Sequence, residues 1–135
     1  MGRIMAIDYG LKRVGIAVTD PMKIIASPLT TIAADQLLDY IKDYSEREDL
    51  EELVIGWPMG LNNMETDSTR AVQSIVAKIR NKFPDLKVQT IDERFTSKIA
   101  TEAIRASGAR KKQRRDKKLI DKVSASLILQ TYLGN

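Results

Sequence analysis

Three places in the chain set carboxylates where an apolar element begins or ends. Asp8 follows the apolar run Ile4-Met5-Ala6-Ile7 and leads into Tyr9-Gly10. Asp92-Glu93 follows the run Leu86–Ile91, and Asp121 stands near the start of a last helix, ahead of Ser124-Ala125-Ser126. A buried strand has little reason to end in Asp unless a turn or some chemistry uses it. Carboxylates brought to one sheet edge repel one another and raise each other's pKa values. A hard divalent cation such as Mg²⁺ or Mn²⁺ removes that strain, because it takes oxygen ligands and keeps positions for water and phosphate oxygens. One such ion, or two about 4 Å apart, can activate water and stabilise the leaving oxygen in phosphodiester hydrolysis.

Composition narrows the chemistry from the other side. The 135 residues include no Cys and no His. Thiol nucleophiles, thiolate metal sites, imidazole bases and Ser-His-Asp triads are therefore excluded. Carboxylates, Lys, Tyr, Ser and Thr remain. Charge is placed unevenly: residues 110–118 hold seven bases (Arg110, Lys111, Lys112, Arg114, Arg115, Lys117, Lys118) and the single acid Asp116, a net of +6. The whole chain carries only +4, so the remainder carries −2. A local basic arm of this kind suits binding of a phosphate backbone, and it immediately precedes Asp121. Lys12 and Arg13, at the tip of the first hairpin, are further candidates for phosphate contacts. A solvated charge run is the ordinary alternative for all of these bases, and ordering of the arm only on nucleic-acid binding is another.

The elements that must position the acids can be read from periodicity. Arg3–Asp8, Val14–Thr19 and Lys23–Leu29 are three apolar runs, with a turn at Asp20-Pro21. Pro28 sets the end of the third run at a sheet edge or outside the ladder. Asp35 is placed to cap a helix carrying Leu37, Leu38, Ile41 and Tyr44. Leu53–Trp57 is an unalternating run, stopped by Pro58, of the kind buried on both faces in a parallel sheet. A helix with Val72, Ile75, Val76, Ile79 and Phe83 follows. Then come the strand Leu86–Ile91, a helix capped by Thr96 or Ser97 with Ile99, Ala103 and Ile104, a stop at Gly108, and the last helix from about Lys118 to Leu133. The order βββ-α-β-α-β-α-α predicts an α/β domain spanning 1–135: a mixed five-stranded sheet, with a three-strand antiparallel meander and two parallel strands, flanked by helices. No apolar run reaches the roughly 20 residues a membrane span needs, and the N-terminus lacks a signal-peptide layout. A cytoplasmic protein with no membrane partner is expected.

Asp8 and the Asp92-Glu93 pair fall at carboxyl ends of strands, where open α/β sheets bind ligands. Asp121 and Ala125 share a helix face, and the small residues after Asp121 let that face press close to the sheet. Neighbours on a strand point to opposite faces, so one of Asp92 and Glu93 joins Asp8, and periodicity alone does not choose between them. Each acid also has an ordinary explanation. Asp8-x-Gly10 can shape a turn, Asp121 can favour a helix N-terminus, and Asp92 can pair with Arg94. Trp57 can stack on a base or simply pack, and Tyr9 is equally open.

The motifs together resemble the YqgF family, also called RuvX, of the ribonuclease H-like superfamily. The matching stretches are Ile7-Asp8-Tyr9-Gly10 with Arg13-Val14-Gly15-Ile16-Ala17-Val18, then Val54-Ile55-Gly56-Trp57-Pro58, then Asp92-Glu93-Arg94-Phe95-Thr96-Ser97. The last is Ile120-Asp121-Lys122-Val123-Ser124-Ala125 with Ile128-Leu129-Gln130-Thr131-Tyr132-Leu133. They run in family order along nearly the whole chain. The resemblance implies a ribonuclease H-like fold and a nuclease processing the 5′ end of pre-16S ribosomal RNA, or a Holliday-junction resolvase by analogy of fold. It further implies Asp8, Glu93 and Asp121 as catalytic acids that hold Mg²⁺ or Mn²⁺. The loop Met59–Thr66 departs from the family's Asn-Met-x-Gly pattern: Asn63-Met64 lacks the following Gly. Trp57 stands where a smaller apolar residue is usual. Both departures bear on fine specificity.

Four functions follow from this reading. The first is a metal-dependent nuclease on structured RNA, as a monomer or weak homodimer. The second is a resolvase of branched DNA, whose two cuts require a dimer. The third is a phosphotransferase of the actin-like ATPase group, which shares the Asp-x-Gly hairpin but needs two such lobes where 135 residues supply one. The fourth is a non-catalytic RNA-binding module using the basic arm.

Overall fold

The computed structural model describes residues 2–57, 67–92 and 117–134. Five strands build one mixed sheet: β1 (Arg3–Tyr9), β2 (Arg13–Thr19), β3 (Ala26–Ala33), β4 (Leu50–Trp57) and β5 (Lys87–Asp92), in the spatial order β3-β2-β1-β4-β5. β1, β2 and β3 pair antiparallel. β4 adds to β1 and β5 adds to β4 in parallel. The meander followed by two parallel strands is the arrangement the sequence predicts. Three helices flank the sheet among the described residues: α1 (Leu37–Arg47), α2 (Asp67–Lys82) and α3 (Lys117–Leu133). The helix expected between Thr96 and Gly108 lies outside the described residues.

Alternation along the strands sorts the core into two layers. Met5 and Ile7 of β1, Val14, Ile16 and Val18 of β2, Leu53 and Ile55 of β4 and Val88 of β5 point to one face. There they meet Leu37, Ile41 and Tyr44 of α1 and Val72, Ile75, Val76 and Ile79 of α2. The other face carries Ile4, Ala6, Ala17 and Val54 against Ala125, Ile128 and Leu129 of α3. The α3 side is built largely from small residues, and Ser124 and Ser126 are buried there with Ala125. Helix and sheet can therefore approach closely. At the far end of α3, burial and a hydrogen bond to Glu52 push the Tyr132 hydroxyl up to about 12.

Two local expectations need correction. The third strand does not end near Pro28; it starts at Ala26 and continues to Ala33. Pro28 is accommodated because β3 is an edge strand, and because the register slips between Ile16 (opposite Thr30) and Ala17 (opposite Pro28), leaving Leu29 as the extra residue of a bulge. Asp35 does not cap α1. The chain leaves β3 straight into a 3₁₀ turn over Ala34–Gln36, so Asp35 lies inside helical backbone, and no side chain caps the turn or the helix.

Candidate active site

Asp8 is the third position of one alternating set. Ile4 and Ala6 face α3, so Asp8 faces α3 as well. Its cross-strand partner on β2 is Gly15, which in turn lies opposite Thr31 of β3. Asp8, Gly15 and Thr31 thus form a row across the meander on the α3 side. Gly10 closes the hairpin below this row: its N–H donates to the Arg13 carbonyl at 2.9 Å, and a Cβ on Gly10 would lie 2.7 Å from that oxygen.

The first turn of α3 lies directly over the row. A Cβ on Gly15 would overlap the carbonyl of Asp121 and sit 2.9 Å from the Lys122 nitrogen. The backbone of Asp121 therefore fills the space a side chain at position 15 would take. Gly15 is the in-register neighbour of Asp8, so the Asp121 backbone lies over the strand next to Asp8. The Thr31 hydroxyl fixes the same turn by donating to the Lys118 carbonyl at 2.6 Å. Two acids separated by more than a hundred residues in sequence are thus held on one side of one row.

Arg13 belongs to the same face, two residues before Gly15. Its Nε donates to Asp121 Oδ2 at 2.8 Å. Both side chains are partly shielded, at 35% and 22% exposure. The structure thus places Arg13 on an acid rather than free at the hairpin tip. Lys12 remains exposed beside it, and its carbonyl accepts the Ala34 N–H at 3.0 Å.

Asp92 goes to the opposite side. Val88 of β5 packs with α2, and alternation sends Thr90 and Asp92 the same way. Asp92 pairs in register with Trp57, itself packed against the α2 layer. Trp57 lines a cleft of about 340 Å³ with Gln73, Val76, Ala77, Arg80 and Thr90, across the sheet from Asp8. Glu93 lies outside the described residues, as do Arg110, Lys111, Lys112, Arg114 and Arg115 and the side chain of Lys117. Lys118 is exposed at the start of α3. Among the described residues no three His, Cys, Asp or Glu side chains gather into a metal-binding group.

The donor set fits a hard divalent cation. Asp8 and Asp121 offer only carboxylate oxygens, the Gly15 cradle fixes the Asp121 backbone against the sheet, and a guanidinium already occupies a cation position on Asp121. Gly15 and the Arg13–Asp121 pair are the site features that composition and spacing miss. The signal for both was parity: residues 13, 15 and 17 of β2 share a face, and that face carries Ala17.

The sequence description "RuvX: Holliday junction resolvase" matches residues 2–135. The chain belongs to the RuvX family. A RuvX-type relative from Flavobacterium johnsoniae, named "Putative pre-16S rRNA nuclease", is 50% identical over 135 residues, covering 100% of this chain and 98% of its own. One of the same name from Phocaeicola vulgatus is 48% identical over 133 residues, covering 98% and 96%. Among solved structures, Thermus thermophilus RuvC in complex with a Holliday junction substrate superposes with a TM-score of 0.56 at 12% identity, over 99% of this RuvX chain and 97% of RuvC. That likeness shows the ribonuclease H-like fold. Among the described residues no helix is long and apolar enough to cross a membrane.

Proposed function

We propose that this RuvX-family chain is a metal-dependent nuclease whose substrate is structured RNA, the 5′ end of the 16S rRNA precursor. The observation that carries the reading is the seating of Asp121 in the Gly15 cradle beside Asp8. A glycine opposite a strand-end carboxylate, filled by the backbone of a second acid, makes a place for two carboxylates to share one cation. Glu93 is the third ligand in this reading, as the resemblance of Asp92-Glu93-Arg94-Phe95-Thr96-Ser97 to the family implies. The names of the relatives supply the RNA substrate.

Asp8, Glu93 and Asp121 would hold Mg²⁺ or Mn²⁺, as one or two ions. The bound ion supplies Lewis-acid charge for attack of water on phosphorus. Asp8 fixes the site at the rigid centre of the sheet, between β2 and β4. Asp121 closes it from α3, and the Thr31–Lys118 hydrogen bond holds that helix end in place. Lys12 and the 110–118 bases draw the phosphate backbone toward the acids.

The test is a cleavage panel of pre-16S RNA, unstructured RNA and a four-way DNA junction, with Mg²⁺ or Mn²⁺ and with EDTA. Metal-dependent cutting of pre-16S RNA is expected, silenced by EDTA. Preferential cutting of the junction by a dimer would instead favour the resolvase reading, which the family's description as a Holliday junction resolvase keeps as the second one. Binding without cutting of any substrate would leave an RNA-binding module.

A further inference from the structure

Arg13 is an odd residue to set against a proposed metal ligand. The two-residue β-alternation that faces Gly15 and Ala17 toward α3 also commits Arg13 to that side, and its Nε–H reaches Asp121 Oδ2 at 2.8 Å. The contact spans 108 residues of sequence. It occupies one oxygen of a carboxylate that the proposed function needs as a ligand. An Arg side chain cannot lose its charge under ordinary conditions. A divalent ion on the same carboxylate would therefore face a fixed positive charge at contact range, which opposes binding.

We propose that Arg13 is a resident counter-cation of Asp121, exchanged for the catalytic metal. This rests on the metal-dependent reading above. Without metal, the guanidinium neutralises Asp121 and keeps the first turn of α3 seated over Gly15. When the ion takes Asp121, the guanidinium is released from Oδ2. Arg13 stands next to exposed Lys12 at the hairpin, and a released guanidinium is suited to bidentate contact with a phosphate of the nucleic acid. Metal loading and substrate grip are then coupled through one side chain. Arg13 acts through Asp121 as a positioning residue for the metal, and on the substrate directly once freed.

The test is Mn²⁺ affinity of the full chain without nucleic acid, by isothermal titration, for the wild type, Arg13→Met, Arg13→Lys and Asp121→Asn. Loss of the competing charge should tighten Mn²⁺ binding in Arg13→Met by roughly three- to tenfold, the range set by a partly shielded charge-assisted contact. Arg13→Lys should fall nearer the wild type. In ¹⁵N spectra of the wild type, the Arg13 Nε–H signal should be protected without metal and shift toward free guanidinium on titration with Mg²⁺. A purely structural staple predicts the reverse: removing it would loosen Asp121 and weaken Mn²⁺ binding. Equal or weaker affinity in a folded Arg13→Met, with wild-type binding lost in Asp121→Asn, overturns the exchange and leaves the nuclease reading standing. Failure of the wild type to bind Mn²⁺ at all overturns both.

Discussion

Gly15 is where a single side chain decides the geometry between two acids. A methyl group there meets the Asp121 carbonyl head-on, and backbone cannot yield as the end of a flexible side chain can. Gly15→Ala should therefore push the first turn of α3 off the sheet. The expected cost is about 1–3 kcal/mol of stability, as for overpacking of a well-filled core, together with weaker Mn²⁺ binding. Chemical denaturation followed by metal titration checks both, and stability within about 0.5 kcal/mol of wild type, the usual surface range, would show that the contact relaxes freely. Asp8 was conspicuous in the sequence as a carboxylate at a strand end, and Asp121 as an acid ahead of small residues in the last helix. Their neighbours were not, because Arg13 and Gly15 matter only through the pairing of Asp8 with Gly15 and the path of α3. Periodicity alone left Asp92 and Glu93 open because β5 had no phase; Val88 in the α2 layer puts Asp92 on the side away from Asp8.

At the scale of elements, the antiparallel meander and the two parallel strands followed from the spacing of apolar runs, while the ends of the elements did not. β3 ran on past Pro28 because an edge position and a bulge remove the demand for its missing N–H. Helix α1 began without the Asp35 cap because the 3₁₀ turn took that residue in. Asp20 does what Asp35 does not. Its carboxylate accepts N–H groups from Ile25 at 2.7 Å, Ile24 at 2.9 Å and Met22 at 3.1 Å, closing the β2–β3 connection. The Ile25 bond above all, with those from Ile24 and Met22, holds the Asp20 pKa below its ordinary 3.8. A carboxylate with a lowered pKa in the folded state stabilises that state above its ordinary pKa and loses the contribution as the pH falls through the lowered value. Protection of the Met22, Ile24 and Ile25 amides, taken relative to the intrinsic exchange rate at each pH, should accordingly hold at neutral pH and fall as the pH drops below the ordinary 3.8, ahead of the sheet. Asp20→Asn should show that loss of protection already at neutral pH. Equal protection in the variant would mean that the turn holds by backbone contacts alone.

Over the whole molecule, charge and chemistry are arranged in sequence before they are arranged in space. A net of +6 in residues 110–118 leads directly into the helix that brings Asp121 to the sheet, while the rest of the chain carries −2. In the proposed function the arm contributes affinity rather than chemistry. Arg114→Ala/Arg115→Ala should lower the slope of log K against log salt for RNA by about 1.4, at roughly 0.7 per lost phosphate contact. The cleavage rate at saturating RNA should change little. An unchanged salt slope would assign the grip to other bases. The claim on which everything else depends is that Asp8 serves the reaction rather than the hairpin turn. The most direct measurement is single-turnover cleavage of pre-16S RNA in Mg²⁺ by Asp8→Asn beside the wild type, with thermal unfolding of both. The expected result is a folded variant whose cleavage is lost by at least about a thousandfold, about 4 kcal/mol of transition-state stabilisation. A folded Asp8→Asn that cuts at the wild-type rate would contradict it.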